Sequence, residues 1–209
     1  MLRTVLTGDI VNSSDIPPKE LDDLLDTLNN LAVDISGWPT MGRRETLTGF
    51  ARRGGDGWQI VINSAHYTLR PALCAQAYIR ARNDVAATRI AVATGTGHIP
   101  DNPKTDLNSA YGLAFTASGR LLDALPSRTL MAHADGGALD AVFRLADHIS
   151  QGWTQAQARA LCLMLAPDPG PRRKAAERLG ISRQAVDQAL ASAGYNALTD
   201  ALNAMEAAP

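Results

Sequence analysis

Two carboxylates in the first sixty residues could do chemistry together. Asp9 interrupts the apolar run Leu2–Ser13, "LRTVLTGDIVNS", and Asp56 sits inside the turn Gly54-Gly55-Asp56-Gly57. Brought close, two carboxylates repel unless a cation separates them or one is protonated. A small set of oxygen ligands suits Mg²⁺ (or Mn²⁺), which is commonly held by one or two carboxylates and completed by substrate phosphates. Gly54, Gly55 and Gly57 let the backbone turn tightly and let phosphate oxygens approach its N–H groups. Gly8 beside Asp9 and Arg53 beside the turn complete the residues expected to contact a nucleotide. That set suits phosphoryl or nucleotidyl transfer, in which metal ions clamp the entering and leaving oxygens. Spacing alone leaves a second reading open: an ordinary hairpin turn and an ordinary loop residue after a strand.

The elements around these residues decide whether they can meet. Leu2–Leu6 reads as a strand. The stretch from Ser13 opens with Ser/Asp and a Pro pair, and Leu21, Leu24, Leu25, Leu28, Leu31, Ala32 and Ile35 then recur at helical spacing. Glu45–Ala51 and Trp58–Ile62 flank the Gly-rich turn and predict a hairpin. A helix containing Cys74, a strand over "ATRIAVATGTGHI", a helix over "LNSAYGLAFTASGRLLDAL", a strand in "SRTLMAH" and a helix from Gly136 follow. A hairpin between two helices argues against strict strand–helix alternation. It predicts an α+β, ferredoxin-like split βαβ sheet, antiparallel, with helices on one face. In such a sheet the first strand and the hairpin are central neighbours, so Asp9 and Asp56 can approach at one rim.

The composition changes near Gly152, and a boundary is placed near residue 150, giving an α+β domain over 1–150 and an all-α domain over 151–209. "RKAAERLGISRQAVDQALASAG" has the pattern of a helix-turn-helix. Ala175, Ala176 and Leu179 pack the first helix, Gly180 supplies the turn, Ile181 plugs it and Ser182 caps the next helix. Val186 and Leu190 face inward. Ser182, Arg183, Gln184 and Asp187 face outward at the start of a recognition helix, where base edges are met in the major groove. Gln184 can pair with adenine and Arg183 with guanine or a phosphate. Arg172, Arg173 and Lys174 form a phosphate-positioning patch. The alternative is a plain helical hairpin used for packing or dimerisation. The tail's charges nearly balance, so a single copy should hold DNA weakly and a homodimer reading two half-sites is expected.

"LTGDIVNS", "RRGGDGWQIVI" and "RIAVATGTGHI", in this order, resemble the palm domain of class III nucleotide cyclases and GGDEF-type diguanylate cyclases. "GDIVNSS" together with the C-terminal helix-turn-helix more closely resembles the SatD family, a bacterial group with a cyclase-like palm and a DNA-binding tail. The resemblance implies that Asp9 and Asp56 are metal carboxylates and that the Ile10 carbonyl is a third ligand. It makes Arg120 a candidate to stabilise charge on the transferred phosphate. Thr116 stands where those cyclases usually carry an Asn, and Leu113 where a base-reading polar residue is common. These departures weigh against turnover more than against nucleotide binding.

The 209 residues carry a net charge of -1, so no global field draws the chain to nucleic acid or membrane, and a local patch must supply any DNA contact. Cys74 and Cys162 read as small buried hydrophobes. The sequence shows no signal-type segment and no apolar run long enough to span a bilayer, which points to a soluble cytoplasmic protein. The basic pairs Arg43-Arg44 and Arg52-Arg53 bracket the hairpin strands and could hold triphosphate oxygens or form a solvated face. The expectation is a cytoplasmic regulator that binds a nucleoside triphosphate through Mg²⁺ and double-stranded DNA through its tail. The rivals are an active nucleotide cyclase or nucleotidyltransferase, and a DNA-binding protein whose palm only dimerises.

Overall fold

The computed structural model describes residues 2–39, 46–100 and 107–207; the Arg43-Arg44 pair lies outside them. β1 (Leu2–Ile10), α1 (Pro18–Ser36), β2 (Thr48–Arg53), β3 (Gly57–Ile62), α2 (Leu69–Arg82) and β4 (Thr88–Thr96) give the order βαββαβ. α3 (Leu113–Ala124), β5 (Met131–His133) and α4 (Gly137–Gln151) extend it. The tail is α5 (Gln155–Met164), α6 (Arg172–Leu179), α7 (Arg183–Ser192) and α8 (Tyr195–Glu206).

The sheet runs β2-β3-β1-β4-β5. β1 lies at its centre, antiparallel to both β3 and β4, and the β2–β3 hairpin is antiparallel. β5 joins β4 in parallel at the edge. The protein is therefore α+β, with the split βαβ topology expected. α1 forms because Pro18 supplies a preset φ at its start and apolar residues recur on one stripe; Leu24, Leu25, Leu28, Leu31, Ala32 and Ile35 are all buried. Each fully buried Leu or Ile contributes roughly 1.5–3 kcal/mol. Pro71 falls in the first turn of α2, where its missing N–H would have had no helical partner.

Strand alternation sorts the side chains. Leu6 and Ile10 of β1 join Trp58, Ile60, Ile90 and Val92 in the main core with α1, α2 and α4. Val5 faces the other way and packs with Val61 and Ala114 of α3, while Ala91 meets Leu122. The two crossover helices thus share one face, and α3 covers part of the opposite one. Thr7 is on the α3 side, bonded through its hydroxyl to Ser118 Oγ at 2.8 Å. Asp9, two residues on, shares that face.

The main core continues through Leu161, Val186, Leu190, Leu198 and Leu202 of the tail. Arg70 of α2 locks the contact. Its side chain is 4% exposed, pairs with both carboxylate oxygens of Glu206 at 2.7 Å and donates to the Leu165 carbonyl at 2.8 Å.

Gly8 answers a packing demand. A Cβ there would lie 2.4 Å from the Arg89 carbonyl and 2.5 Å from the Trp58 ring, whose Nε1 donates to Thr88 Oγ1 at 2.9 Å. Overpacking of this kind costs about 1–3 kcal/mol. Gly8→Ala should lower the urea midpoint accordingly without changing the slope; an unchanged midpoint would mean that Trp58 is not pinned as described.

Candidate functional site

At the C-terminal end of β1 the sheet opens into a cleft of about 390 Å³, lined by Asp9–Ser14, Asp56, Arg89 and Ser127. Asp9 comes from the end of β1, opposite Gly57 of the hairpin on one side and Arg89 of β4 on the other. The three-residue tip Gly54–Asp56 brings Asp56 to the same rim, where its carbonyl accepts from Ile10 N at 3.3 Å. Two carboxylates far apart in sequence therefore line one cavity, as the topology requires.

The chain between β1 and α1 wraps the cleft. Val11 N donates to the Ala87 carbonyl at 2.9 Å, Asn12 takes a left-handed conformation (φ 52°), and Ser13–Asp15 form a 3₁₀ turn. Asn tolerates that conformation better than most residues, and such backbone positions cluster at functional sites. The Ser13 hydroxyl donates to Asp56 Oδ2 at 2.5 Å.

Arg89 is the residue that sequence reasoning missed. Its guanidinium grips Asp9 with two hydrogen bonds, Nε to Oδ1 at 2.9 Å and a second to Oδ2. The hydrogen bonds to Asp9 push the Arg89 guanidinium further above its usual range; burial opposes this, and the charges of Asp9, Asp56 and Asp123 add to it. The signal was present in "TRIAV", where a lone Arg alternates with apolar strand residues, but its meaning depends on the β1–β4 register.

Several expected residues are elsewhere. Gly8, Gly54, Gly55 and Gly57 are not among the cleft's lining residues. Gly54 is left-handed (φ 65°), as the tight tip needs, and the Gly55 carbonyl accepts two hydrogen bonds from Arg52, which also pairs with Asp22 at 2.7 Å. Arg53 is tied to Asn108 Oδ1 and Gln59 Oε1, both at 2.8 Å, away from the cleft. Arg120 is exposed on α3. Ser118 points into the sheet, so a residue two positions later, 200° around the helix, must point out.

The cleft's donors are carboxylates, a hydroxyl and backbone carbonyls, which suit a hard cation such as Mg²⁺. Asp9, Asp56 and the Ile10 carbonyl are the residues that would hold it. Among the described residues no cluster of three or more His, Cys, Asp or Glu forms a metal cage. A cation here would need water or ligand phosphates to complete its shell, and would compete with Arg89 for Asp9.

In the tail, Gly180 is left-handed (φ 67°) and closes α6, with Gly180 N donating to the Glu177 carbonyl and Ile181 N to that of Ala176. Ser182 caps α7, its Oγ accepting from Ala185 N at 3.1 Å. Val186 and Leu190 are buried and Ser182, Arg183 and Gln184 are exposed. Ile181 corrects one expectation: it is 45% exposed at the corner and does not plug the turn, because Val186 and Leu190 already fill the interior. Asp187 bridges Arg172 at 2.8 Å and Arg183 at 3.6 Å, and Arg173 pairs with Glu177 at 2.6 Å. Solvent-accessible pairs of this kind are worth about 0–1 kcal/mol. Lys174 faces a different cavity, described below.

No helix among the described residues is long and apolar enough to cross a membrane. No protein-family model matches the chain. No curated protein matches it. Among solved structures it is similar to the crystal structure of the guanylyl cyclase Cya2, with a TM-score of 0.41 and 14% identity over 66% of this chain and 79% of that one.

Proposed function

We infer that the protein is a nucleotide-responsive DNA-binding regulator. The Asp9–Asp56 cleft takes the phosphates of a nucleoside triphosphate together with Mg²⁺ (or Mn²⁺), and the α6–α7 unit contacts double-stranded DNA as a homodimer. The observation that carries the first half is the bidentate hold of Arg89 on Asp9 in a cleft that Asp56 also lines. This supports the reading because Arg89 holds a positive charge at the end of the central strand, which would be available to a phosphate if the carboxylates held a metal. The exposed position of Arg120 supports binding over turnover, in keeping with the departures from active cyclases. The resemblance of "GDIVNSS" and the tail to the SatD family supports the pairing of palm and DNA reader.

Calorimetry with ATP and GTP in the presence of Mg²⁺ tests the cleft: one of them should give saturable heat that Asp56→Ala removes. Heat unaffected by the substitution would move the nucleotide elsewhere, and a cyclic or linked product by mass spectrometry would favour the enzyme. For the tail, duplexes selected from a random library should bind with a nucleotide-dependent change in affinity. Arg183→Ala and Gln184→Ala should each cost about 1–3 kcal/mol of specific binding by fluorescence anisotropy. Unchanged anisotropy in both variants would remove α7 as the reading helix.

A further inference from the structure

A second cavity, of about 550 Å³, is lined by residues of α1, α2, α5, the α5–α6 loop and α6. That size falls in the range of small-molecule sites. Its lining separates into three chemistries. Trp38, Tyr78 and Leu163 supply an apolar surface, Lys174 and Arg178 supply two positive charges, and Asp34 and Asp168 supply two negative ones.

The charges differ from those elsewhere on the tail. Arg172, Arg173 and Arg183 are each paired with a carboxylate. Among the described residues, no ion pair or side-chain hydrogen bond holds Lys174, Arg178 or Asp168. Lys174 and Arg178 are four residues apart on α6, so they stand on one face of that helix. Asp34 is fixed by the Tyr78 hydroxyl, which donates to Oδ2 at 2.5 Å and leaves Oδ1 open. Tyr78 keeps its proton for this purpose, since burial and then the bond to Asp34 push its pKa up. Cys74 and Cys162 also line the cavity, but burial pushes both thiols up, Cys162 to about 12, so they present neutral apolar surface there.

We propose that this cavity binds a free amino acid with an apolar side chain, its carboxylate on Lys174 and Arg178, its ammonium on Asp34 and Asp168, and its side chain against Trp38, Tyr78 and Leu163. A lining that holds two cations and two carboxylates suits a zwitterion; a simple anion would meet the two carboxylates unpaired. Because α6 is the first helix of the helix-turn-helix, the bound molecule ties that unit to α1 and α2 of the sheet domain. The site is independent of the Asp9–Asp56 cleft.

The test is titration of the full chain with L-phenylalanine and L-leucine, followed by calorimetry and saturation-transfer NMR. N-acetyl-L-phenylalanine, which lacks the ammonium, and L-phenylalaninamide, which lacks the carboxylate, serve as controls. At least one free amino acid should bind, each control should bind at least tenfold more weakly, and Lys174→Ala with Arg178→Ala should weaken the free amino acid at least tenfold. Both substituted residues are at the surface, and circular dichroism checks that the variant folds; the controls keep the test valid if it does not. No binding at millimolar concentration, equal binding of either control, or full affinity in a folded double variant would each overturn the proposal.

Discussion

Arg70→Met is expected to destabilise the protein by about 3–5 kcal/mol, because removing one partner of a buried ion pair strands the other. Arg70 is 4% exposed and its guanidinium is shared between Glu206 and the Leu165 carbonyl, so the substitution leaves a carboxylate with 13% side-chain exposure and a backbone acceptor unpaired. The pair joins α2 to α8 and to the end of α5, so the loss falls on the contact between α2 and the tail helices. The double variant Arg70→Met, Glu206→Leu should recover most of the stability, since replacing a whole buried pair by apolar groups is often neutral. Chemical denaturation followed by tryptophan fluorescence measures both. A near-neutral single variant would mean that the tail does not depend on this link.

The second large effect concerns Arg89. If it acts as the resident counter-ion of Asp9, a metal must compete with it, and at least one charge-assisted hydrogen bond is weakened or given up. A hydrogen bond to a charged group is worth about 1.5–3 kcal/mol, which corresponds to roughly 10- to 150-fold in affinity per bond. Arg89→Gln should therefore tighten binding of Mn²⁺ alone by about tenfold or more. The gain should shrink when triphosphate is present, because the variant loses a guanidinium that would otherwise meet the phosphates. Salt should weaken the wild-type pair little, as Asp9 and Arg89 are only 20% and 32% exposed. Equal Mn²⁺ affinity in wild type and variant would show that Arg89 does not compete at all.

Much of the fold could be read from local pattern. The stripe from Leu24 to Ile35 announces α1, Gly54–Gly57 announces the hairpin, and Gly180 and Ser182 mark the end of α6 and the cap of α7, each because a backbone or packing requirement falls on a few adjacent residues. The convergence of Asp9 and Asp56 also followed, since the split βαβ order makes β1 and the hairpin neighbours. What depends on register between distant strands did not. Arg89 looked like one polar residue in an apolar strand until the β1–β4 pairing set it opposite Asp9. Arg53 and Arg120 looked available until the fold turned one toward Asn108 and the other to solvent. The glycines beside both carboxylates looked like phosphate-approach positions, whereas Gly8 makes room for Trp58 and Gly54 makes the turn. The exposure of Ile181 depends on how tightly Val186 and Leu190 fill the corner, which no local motif encodes.

Electron paramagnetic resonance of Mn²⁺, titrated into the wild-type chain and into Asp9→Ala and Asp56→Ala with and without a triphosphate, bears on the central claim without requiring turnover or DNA. The wild type with triphosphate should remove free-ion signal stoichiometrically beyond the loss that the triphosphate alone produces, and each variant should lose at least two orders of magnitude in affinity, about 2.7 kcal/mol. A wild-type chain that leaves the free signal untouched, or variants that bind as well as it does, would contradict a cation-dependent nucleotide site at the end of β1.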